Sequence, residues 1–315
     1  MMSIPEVDVV GVGLNATDTV IPVPHFPELG SKVEIHSADA FLGGQVASAM
    51  VACQQWGLRT RYVGKIGQDR AGEMHRAEFE RLGVEAHLFT APGCGSQQAF
   101  ILVDPHGERT VLWKRDSRLT LSRDELQRAW IVNAKMLHLD GHDTEAATQA
   151  AQWAHAAGVP VVADLDDLYD GYEKLLPNID FLITSRDIPE RLTNEGDLRK
   201  SLPEVAKRYR CQLAAATLGE EGVLAWNGDR FYYAAAYSVN AMDTTGAGDT
   251  FHAGFIYGHL HGWPLQAQLE FACAAAALNC TAVGARGGIQ PVEKIESLRK
   301  NGERHGSAFE FAERT

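Results

Sequence analysis

The chain has 315 residues, of which 45% are hydrophobic and 22% are charged. This composition is typical of a folded globular protein and excludes a largely disordered one, and the length suits one large α/β domain or two average ones. The net charge of −12 disfavours binding to nucleic-acid phosphates. The longest wholly apolar run, 271–278, is far shorter than the roughly 20 residues that span a bilayer, so we expect no membrane insertion.

The five cysteines form no C-x-x-C pair, and no basic stretch precedes an apolar one near the start of the sequence. These features disfavour a zinc site, a disulfide framework and a secretory signal. We therefore expect a reduced, cytoplasmic protein.

Short apolar runs alternate with amphipathic helical stretches along most of the chain. Strands are predicted at 7–12, 60–64, 136–139, 160–163, 181–183 and 213–217. Helices are predicted at 44–56, 71–82, 145–157 and 198–209, and a capping-box sequence at 122–125 predicts the start of another. This alternation predicts an α/β fold with a doubly wound, mainly parallel sheet flanked by helices.

Two segments interrupt the alternation. Residues 14–42 contain three prolines followed by an alternating, strand-like run at 32–36, and residues 97–115 have the pattern of a β-hairpin. We expect these insertions to form a small β-sheet that acts as a lid or a dimer surface. The domain is predicted to span 1–301, and a polar, loosely held tail is predicted at 302–315.

One segment matches the sequence pattern of a dinucleotide-binding motif but lacks the secondary structure that the motif requires. Gly11, Gly13 and Ala16 match G-x-G-x-x-A after a strand. That motif requires a helix immediately afterwards, whereas an extended segment with prolines follows here. No G-x-x-x-x-G-K-[ST] sequence occurs either, so neither a Rossmann nor a P-loop nucleotide site is predicted.

The segment 243–251, Asp-Thr-Thr-Gly-Ala-Gly-Asp-Thr-Phe, carries the strongest chemical signal. Gly246, Ala247 and Gly248 are expected to turn into a helix whose unpaired N–H groups and dipole bind an anion such as phosphate. Asp249, at the start of that helix, is placed to accept a proton from a hydroxyl that attacks phosphorus. An N-capping aspartate after a glycine turn is the structural alternative.

Four motifs, in order along the chain, resemble those of the ribokinase family, also called the PfkB carbohydrate kinases, and in particular its ketohexokinase and sulfofructose-kinase branch. They lie at 43–72, 217–222, 243–251 and 280–289. The resemblance implies a ribokinase-like fold with a β-sheet lid, and transfer of the γ-phosphoryl of ATP to a sugar hydroxyl with Mg²⁺. It makes Asp249 the base and the amides of residues 246–248 the group that stabilises the developing charge.

On the acceptor side, the resemblance implies sugar contacts by Asp18, Gly43, Gly44, Gln45 and Asp140. Strand C-terminal ends are where open α/β sheets bind ligands, and a carboxylate accepts hydrogen bonds from adjacent hydroxyls. A turn residue is the alternative for Asp18, and a helix N-cap is the alternative for Asp140.

The lid and the nucleotide side supply further candidates. Arg109, in the lid hairpin, is a candidate contact to an anionic group on the substrate, with a solvated surface arginine as the alternative. The resemblance places Thr217, Gly219 and Gly222 against the phosphates or ribose of ATP. Asn279 lies on a helix rich in small residues and is expected near the purine, with an exposed polar residue as the alternative.

Two groups of residues are candidates for metal ions. Asp243 and Thr245 fit the loop that binds K⁺ in many relatives. The family's N-x-x-E motif, which organises Mg²⁺ through water, is not kept, because Ser185 and Ile188 replace its Asn and Glu. Asp187 is then the candidate for holding Mg²⁺ through water.

We therefore predict an ATP- and Mg²⁺-dependent carbohydrate kinase that acts on a small-molecule sugar and forms a homodimer through its lid. Ser48 stands where an Asn is often found, which disfavours ribose as the substrate. The alternatives are a non-catalytic sugar or nucleotide sensor on the same fold, and a nucleoside kinase. Pentose, ketohexose, sugar acid and sugar phosphate all remain open as acceptors.

Overall fold

The computed structural model describes residues 6–105, 109–306 and 309, which form two β-sheets and ten α-helices. The strands are β1 (Val9–Val12), β2 (Ala16–Pro22), β3 (Asp39–Gly43), β4 (Thr60–Gly67), β5 (Glu85–Ala91), β6 (Gln98–Val103), β7 (Arg109–Lys114), β8 (Leu137–Leu139), β9 (Val161–Leu165), β10 (Phe181–Ser185), β11 (Leu213–Thr217), β12 (Val223–Trp226) and β13 (Phe231–Ala234). The helices are α1 (Gln45–Gln55), α2 (Arg70–Leu82), α3 (Arg128–Val132), α4 (Thr144–Ala157), α5 (Tyr172–Leu175), α6 (Ile188–Thr193), α7 (Leu198–Tyr209), α8 (Ala247–Leu260), α9 (Leu265–Asn279) and α10 (Val292–Asn301).

The larger sheet has nine strands in the order β13-β12-β11-β10-β9-β8-β1-β4-β5. All pairs from β11 to β5 are parallel, and only β12 and β13 join antiparallel. Each face has its own apolar core, with α4 and α7 packed on one side and α1, α8 and α9 on the other. This arrangement confirms the predicted α/β fold. The sequence allowed the prediction because strands that are buried on both faces appear in it as continuous apolar runs.

The smaller sheet has four strands in the order β3-β2-β6-β7. The two predicted insertions build it, since 14–42 supplies β2 and β3 and 97–115 supplies β6 and β7. We call this sheet the lid. It joins the main body directly, because β3 ends one residue before Gly44, which caps α1 with a φ of 95°. A side chain on Gly44 would collide with the backbone of Asn15, so this junction requires glycine.

Two local predictions are wrong. The alternating run 32–36 forms no strand, and β3 begins only at Asp39. Most of that run is exposed, including Ile35, so its alternation has no core to face. The capping box of Ser122 and Glu125 does form, but it closes a single 3₁₀ turn, and the next helix starts at Arg128.

The segment after α10 packs on the body instead of hanging loose, so the predicted loose tail is wrong for residues 302–306. Ser238 donates its N–H to the Glu303 carbonyl, and His305 donates its N–H to the Ala236 carbonyl. The Arg304 guanidinium also donates to the hydroxyl of Tyr237. Within the residues given above, no helix combines the length and apolar character needed to cross a bilayer.

Candidate active site

The start of α8 has the backbone shape that the sequence motif predicts. Gly246 caps the helix with a φ of 75°, and a Cβ there would lie 2.2 Å from the carbonyl oxygen of Ala285. A Cβ on Gly248 would meet no atom within 4 Å. Gly246 therefore lets two loops meet, while Gly248 faces open space beside the N–H groups of the first helical turn.

Asp249 lies in the first turn of α8 and is only 9% exposed. Burial raises the pKa of its carboxyl well above the ordinary value, and the nearby carboxylates of Asp164 and Asp18 raise it further. The Arg286 guanidinium and a hydrogen bond from the Ser48 hydroxyl act in the opposite direction. The arrangement gives a buried carboxyl with a strong tendency to hold a proton.

Asp164, at the end of β9, is a site residue that the sequence analysis missed. Burial raises the pKa of its carboxyl well above the ordinary value, although a hydrogen bond with Gln45 lowers it. His252 Nδ1 lies 2.9 Å from the Gly248 carbonyl oxygen and 3.4 Å from Asp164 Oδ2. The signal was available, because Asp164 is a polar residue that follows the predicted strand 160–163.

Asp18 points from the lid strand β2 towards the body. Burial raises its pKa to about 6, Asp243 raises it too, and Arg286 acts against them. A Cβ on Gly43 would lie 2.4 Å from Asp18 Oδ2, so glycine is required for this close approach. Gln45 begins α1, and its Oε1 is buried without a hydrogen-bond partner among the described residues.

Asp140 follows β8 and is almost fully buried. Its carboxylate accepts the N–H of Leu14 and, at 3.0 Å, the N–H of His142. The residue that precedes α4 is Asp143, so Asp140 is not the N-cap of that helix. Burial raises the pKa of Asp140. Asp140 thus joins the segments that follow β1 and β8.

A cavity of about 360 Å³ lies beside the start of α8. Its wall includes the predicted nucleotide residues Thr217, Gly219 and Gly222, together with Gly248. Most of the other lining residues are small or apolar, namely Ala236, Tyr237, Val239, Ala241, Thr244, Ala247, Phe251, Cys273, Ala276, Ala277 and Cys280, with Glu220 and His305 as the charged or ionisable exceptions. A flat, partly apolar ligand with an anionic end matches this wall.

Asn279 does not lie on that wall. Its side chain is fully buried, and its Nδ2 donates to the carbonyls of Thr245 and Ala285, each at 3.1 Å. Asp243 Oδ1 accepts the N–H and hydroxyl of Thr245 at 2.9 and 2.7 Å, and Oδ2 accepts the Gly284 N–H at 2.8 Å. Asn279 and Asp243 therefore hold together the two loops that flank the start of α8.

Asp187 also lies away from the cavity. Its side chain is 59% exposed, pairs with Arg191 at 3.2 Å and lines a separate cavity with Arg186 and Glu190. Ile188 is fully buried. In the described part of the chain, no group of three or more His, Cys, Asp or Glu side chains is arranged to hold a metal ion. Arg109 belongs to β7, but its side chain lies outside what the structure describes.

Arg286 is the second residue that the sequence analysis missed. It lies in the resemblance segment 280–289, but nothing in the pattern shows what it contacts. Its guanidinium donates to the Gly43 carbonyl at 2.8 Å and to the Ser48 hydroxyl at 3.1 Å, and it pairs with Glu78. These partners lie more than 200 residues away, so only the fold brings them together.

The fold and this cleft define the class of protein: a kinase of ribokinase-like fold, whose cleft contains a glycine-capped helix start and several buried carboxyls. The sequence pattern described as pfkB family carbohydrate kinase matches residues 7–292, and the chain belongs to that family.

The names of similar proteins agree with this family assignment. An acarbose 7(IV)-phosphotransferase from an Actinoplanes species is 31% identical, covering 93% of this chain and 97% of the relative. A fructoselysine 6-kinase from Escherichia coli is 30% identical, covering 76% and 89% respectively.

The solved structure of a ribokinase from Thermotoga maritima matches in fold, with a TM-score of 0.79 and 24% identity over 94% of this chain and all of that one. Because the family and its relatives are sugar kinases, this chain is a phosphotransferase that acts on a sugar or a sugar derivative. This outcome favours the kinase over the sensor among the predicted alternatives.

Proposed function

We propose that the chain transfers the γ-phosphoryl of ATP to a hydroxyl of a sugar or sugar derivative, with Asp249 as the general base. The observation that carries this proposal is the position of Asp249. Its neighbours Ala247 and Gly248 line the apolar cavity, while its carboxyl interacts with Asp18 of the lid. Asp249 is therefore placed between a nucleotide side and an acceptor side.

The cavity wall suits the nucleotide. Its small apolar residues would pack against a purine, and the open space at Gly248 would admit phosphate oxygens to the N–H groups of the first turn of α8. Kinases of this family use ATP and Mg²⁺, and bound Mg²⁺ neutralises part of the triphosphate charge. Mg²⁺ usually keeps several waters and binds through substrate phosphates, which fits a site where the described residues form no cage of protein ligands.

The acceptor side offers hydrogen-bond acceptors to sugar hydroxyls. We assign Asp18, Asp140 and Gln45 to this role, with Gly43 and Gly44 allowing the backbone to approach closely. Supporting this, the Oε1 of Gln45 is buried without a partner among the residues described, and a sugar hydroxyl would satisfy it.

The proposed chemical step conserves atoms and charge. The acceptor hydroxyl oxygen forms a bond to the γ-phosphorus, and the bond from that phosphorus to the bridging oxygen breaks, releasing ADP. Asp249 takes the hydroxyl proton. Its raised pKa helps it to accept the proton, and the amides of residues 246–248 stabilise the charge on the transferred group.

We also propose that two copies of the chain associate through the lid. β7 is an edge strand of the lid, and three consecutive apolar residues on it, Val111, Leu112 and Trp113, are 45%, 58% and 63% exposed. Exposed apolar groups on an edge strand favour pairing with a second surface.

We also propose that Asp243 and Thr245 belong to a loop that binds K⁺. An activity assay in which K⁺ is replaced by tetramethylammonium would test this role.

The experiment measures ADP release from ATP and Mg²⁺ over a panel of neutral sugars, sugar acids, sugar phosphates, nucleosides, acarbose and fructoselysine. We expect turnover with a sugar derivative and a loss of about 10²–10⁴-fold in kcat in Asp249→Asn. Asp229→Asn, in the exposed turn between β12 and β13, is the matched control and should turn over like the wild type. Preference for an anionic acceptor would support the role predicted for Arg109.

Two results would contradict the proposal. The first is an Asp249→Asn variant as active as the wild type. The second is a protein that binds ATP in calorimetry but phosphorylates no member of the panel. Nucleosides as the sole acceptors would instead identify a nucleoside kinase.

A further inference from the structure

We propose that Arg286 is a positioning residue that fastens the acceptor side of the cleft to the nucleotide side and places a positive charge beside the carboxyls of Asp249 and Asp18. This inference rests on the proposed function, because it concerns the same site and assumes that Asp249 is the base. It adds a residue for which the sequence motifs gave no role.

The side chain of Arg286 makes a separate contact with each of its nitrogens. Nη2 donates to the Gly43 carbonyl at 2.8 Å, Nε donates to the Ser48 hydroxyl at 3.1 Å, and Nη1 pairs with Glu78. The guanidinium carbon also lies 5.9 Å from the ring centroid of Phe79. One buried, planar group thus links the end of the lid strand β3, the first turn of α1 and the helix α2.

The backbone that carries Arg286 is fixed to the nucleotide side. The Gly284 N–H donates to Asp243 Oδ2 at 2.8 Å. The Ala285 backbone packs so closely on Gly246 that a Cβ there would collide with it. Movement of this loop relative to the start of α8 would break both contacts. Arg286 therefore reaches the acceptor side from a rigid support.

Two of the contacts lead directly to the proposed acceptor-binding residue Asp18 and the proposed base Asp249. Gly43 lies against Asp18, and Ser48 accepts from Arg286 while its hydroxyl hydrogen-bonds to Asp249. Loss of the guanidinium would loosen both positions at once. A lysine would keep the charge but not the planar fork that reaches several acceptors together.

The charge of Arg286 acts in a crowded acidic site. Asp164 from β9 and Asp18 from the lid lie near Asp249 and disfavour its ionised form, whereas the positive charge of Arg286 favours it. On α8 itself, burial lowers the pKa of His252 to about 4, so that this ring is neutral at ordinary pH. Removal of Arg286 should therefore make Asp249 harder to ionise and shift the acid limb of activity to higher pH.

The test compares Arg286→Met, Arg286→Lys and the control Arg61→Met in the acceptor assay. Arg61 is also a buried arginine paired with a glutamate, Glu85, but it lies at the opposite end of β4 from the site. We expect Arg286→Met to lower kcat/KM for the acceptor about 100-fold and to move the acid limb up by about one pH unit. Arg286→Lys should restore the acid limb but not the acceptor KM, and Arg61→Met should leave both unchanged.

A second readout needs no turnover. In protein with ¹³C-labelled aspartate side chains, the Asp249 carboxyl signal, assigned with Asp249→Asn, is titrated in the wild type and in both Arg286 variants. We expect a midpoint about one pH unit higher in Arg286→Met than in the wild type. An inactive wild type would refute the proposed function, and this titration would still decide the role of Arg286. The inference is wrong if Arg286→Met leaves the midpoint unchanged, or if its kinetic effects are matched by Arg61→Met.

Discussion

Asp18 is the lid residue that we propose as a contact to the acceptor. Its carboxyl is buried on β2, and its pKa of about 6 lies close to ordinary assay conditions. The direction follows from burial, which penalises the ionised form more than Arg286 compensates for it. The protonation state of Asp18 should therefore control acceptor binding within the working range of the enzyme.

We predict that acceptor affinity falls as pH decreases through this pKa. A carboxylate accepts hydrogen bonds from two hydroxyls, and protonation removes part of that capacity. The acceptor Kd should rise about tenfold for each unit below the pKa, and Asp18→Asn should bind weakly with a smaller pH dependence. Calorimetric titration of the acceptor in a pH series measures this, and a flat profile in the wild type would refute it.

At the scale of one element, the start of α8 contains two glycines with different tasks. Gly246 has a positive φ and no room for a side chain, whereas Gly248 has open space. The first is a requirement of the fold, and the second belongs to the proposed anion site. A pair of alanine substitutions should therefore separate stability from activity.

We predict that Gly246→Ala lowers the free energy of unfolding by about 1–3 kcal/mol through strain and collision with the Ala285 carbonyl. Gly248→Ala should change stability by no more than about 1 kcal/mol, because its methyl group meets no atom. It should still reduce kcat/KM for ATP about 10–100-fold, since the methyl takes space meant for phosphate. Urea unfolding and steady-state kinetics measure the two effects. If the two variants lost the same kcat/KM for ATP and the same free energy of unfolding, the result would argue against an anion site at Gly248.

How far the sequence predicts each element depends on where its stabilising contacts come from. α7 and β11 have the bounds predicted, because their own periodicity and flanking residues determine them. The strand predicted at 32–36 is absent, because alternation shows only that one face would be apolar and not that a core exists against which that face can pack. β12 and β13 were missed, since their pairing depends on an antiparallel return at the sheet edge.

The same reasoning applies to the site. Asp249 and the glycines of α8 form one continuous motif, so the sequence points to them directly. Asp164 belongs to the site through the order of strands, and Arg286 through contacts across more than 200 residues. Asn279 was expected at the purine because its helix is rich in small residues, yet its amide is used to hold two loops. The pattern shows the composition of a helix but not the direction of each side chain.

At the scale of the whole molecule, the exposed apolar edge of the lid favours association with a second copy of the chain. We predict a dimer that Trp113→Lys combined with Leu112→Lys converts to a monomer, because both side chains are more than half exposed. Light scattering after size exclusion gives the mass of each species. Met242→Lys, at an equally exposed apolar residue outside the lid, should leave the mass unchanged. A wild type that is monomeric at all concentrations would refute the prediction.

The location of the proposed nucleotide cavity along the chain bears on how enzymes of this architecture can diversify. Every residue on its wall comes from 217–305, whereas the proposed acceptor contacts all come from 18–140. Recombination between two relatives near α7 would join the acceptor preference of one parent to the ATP site of the other. Such a hybrid must preserve the contacts between the halves, which include those of Arg286 with Gly43, Ser48 and Glu78 and that of Trp56 with the Gln290 carbonyl. Exchange of the N-terminal half should thus give this fold new substrates, provided that Arg286 keeps its hydrogen bonds.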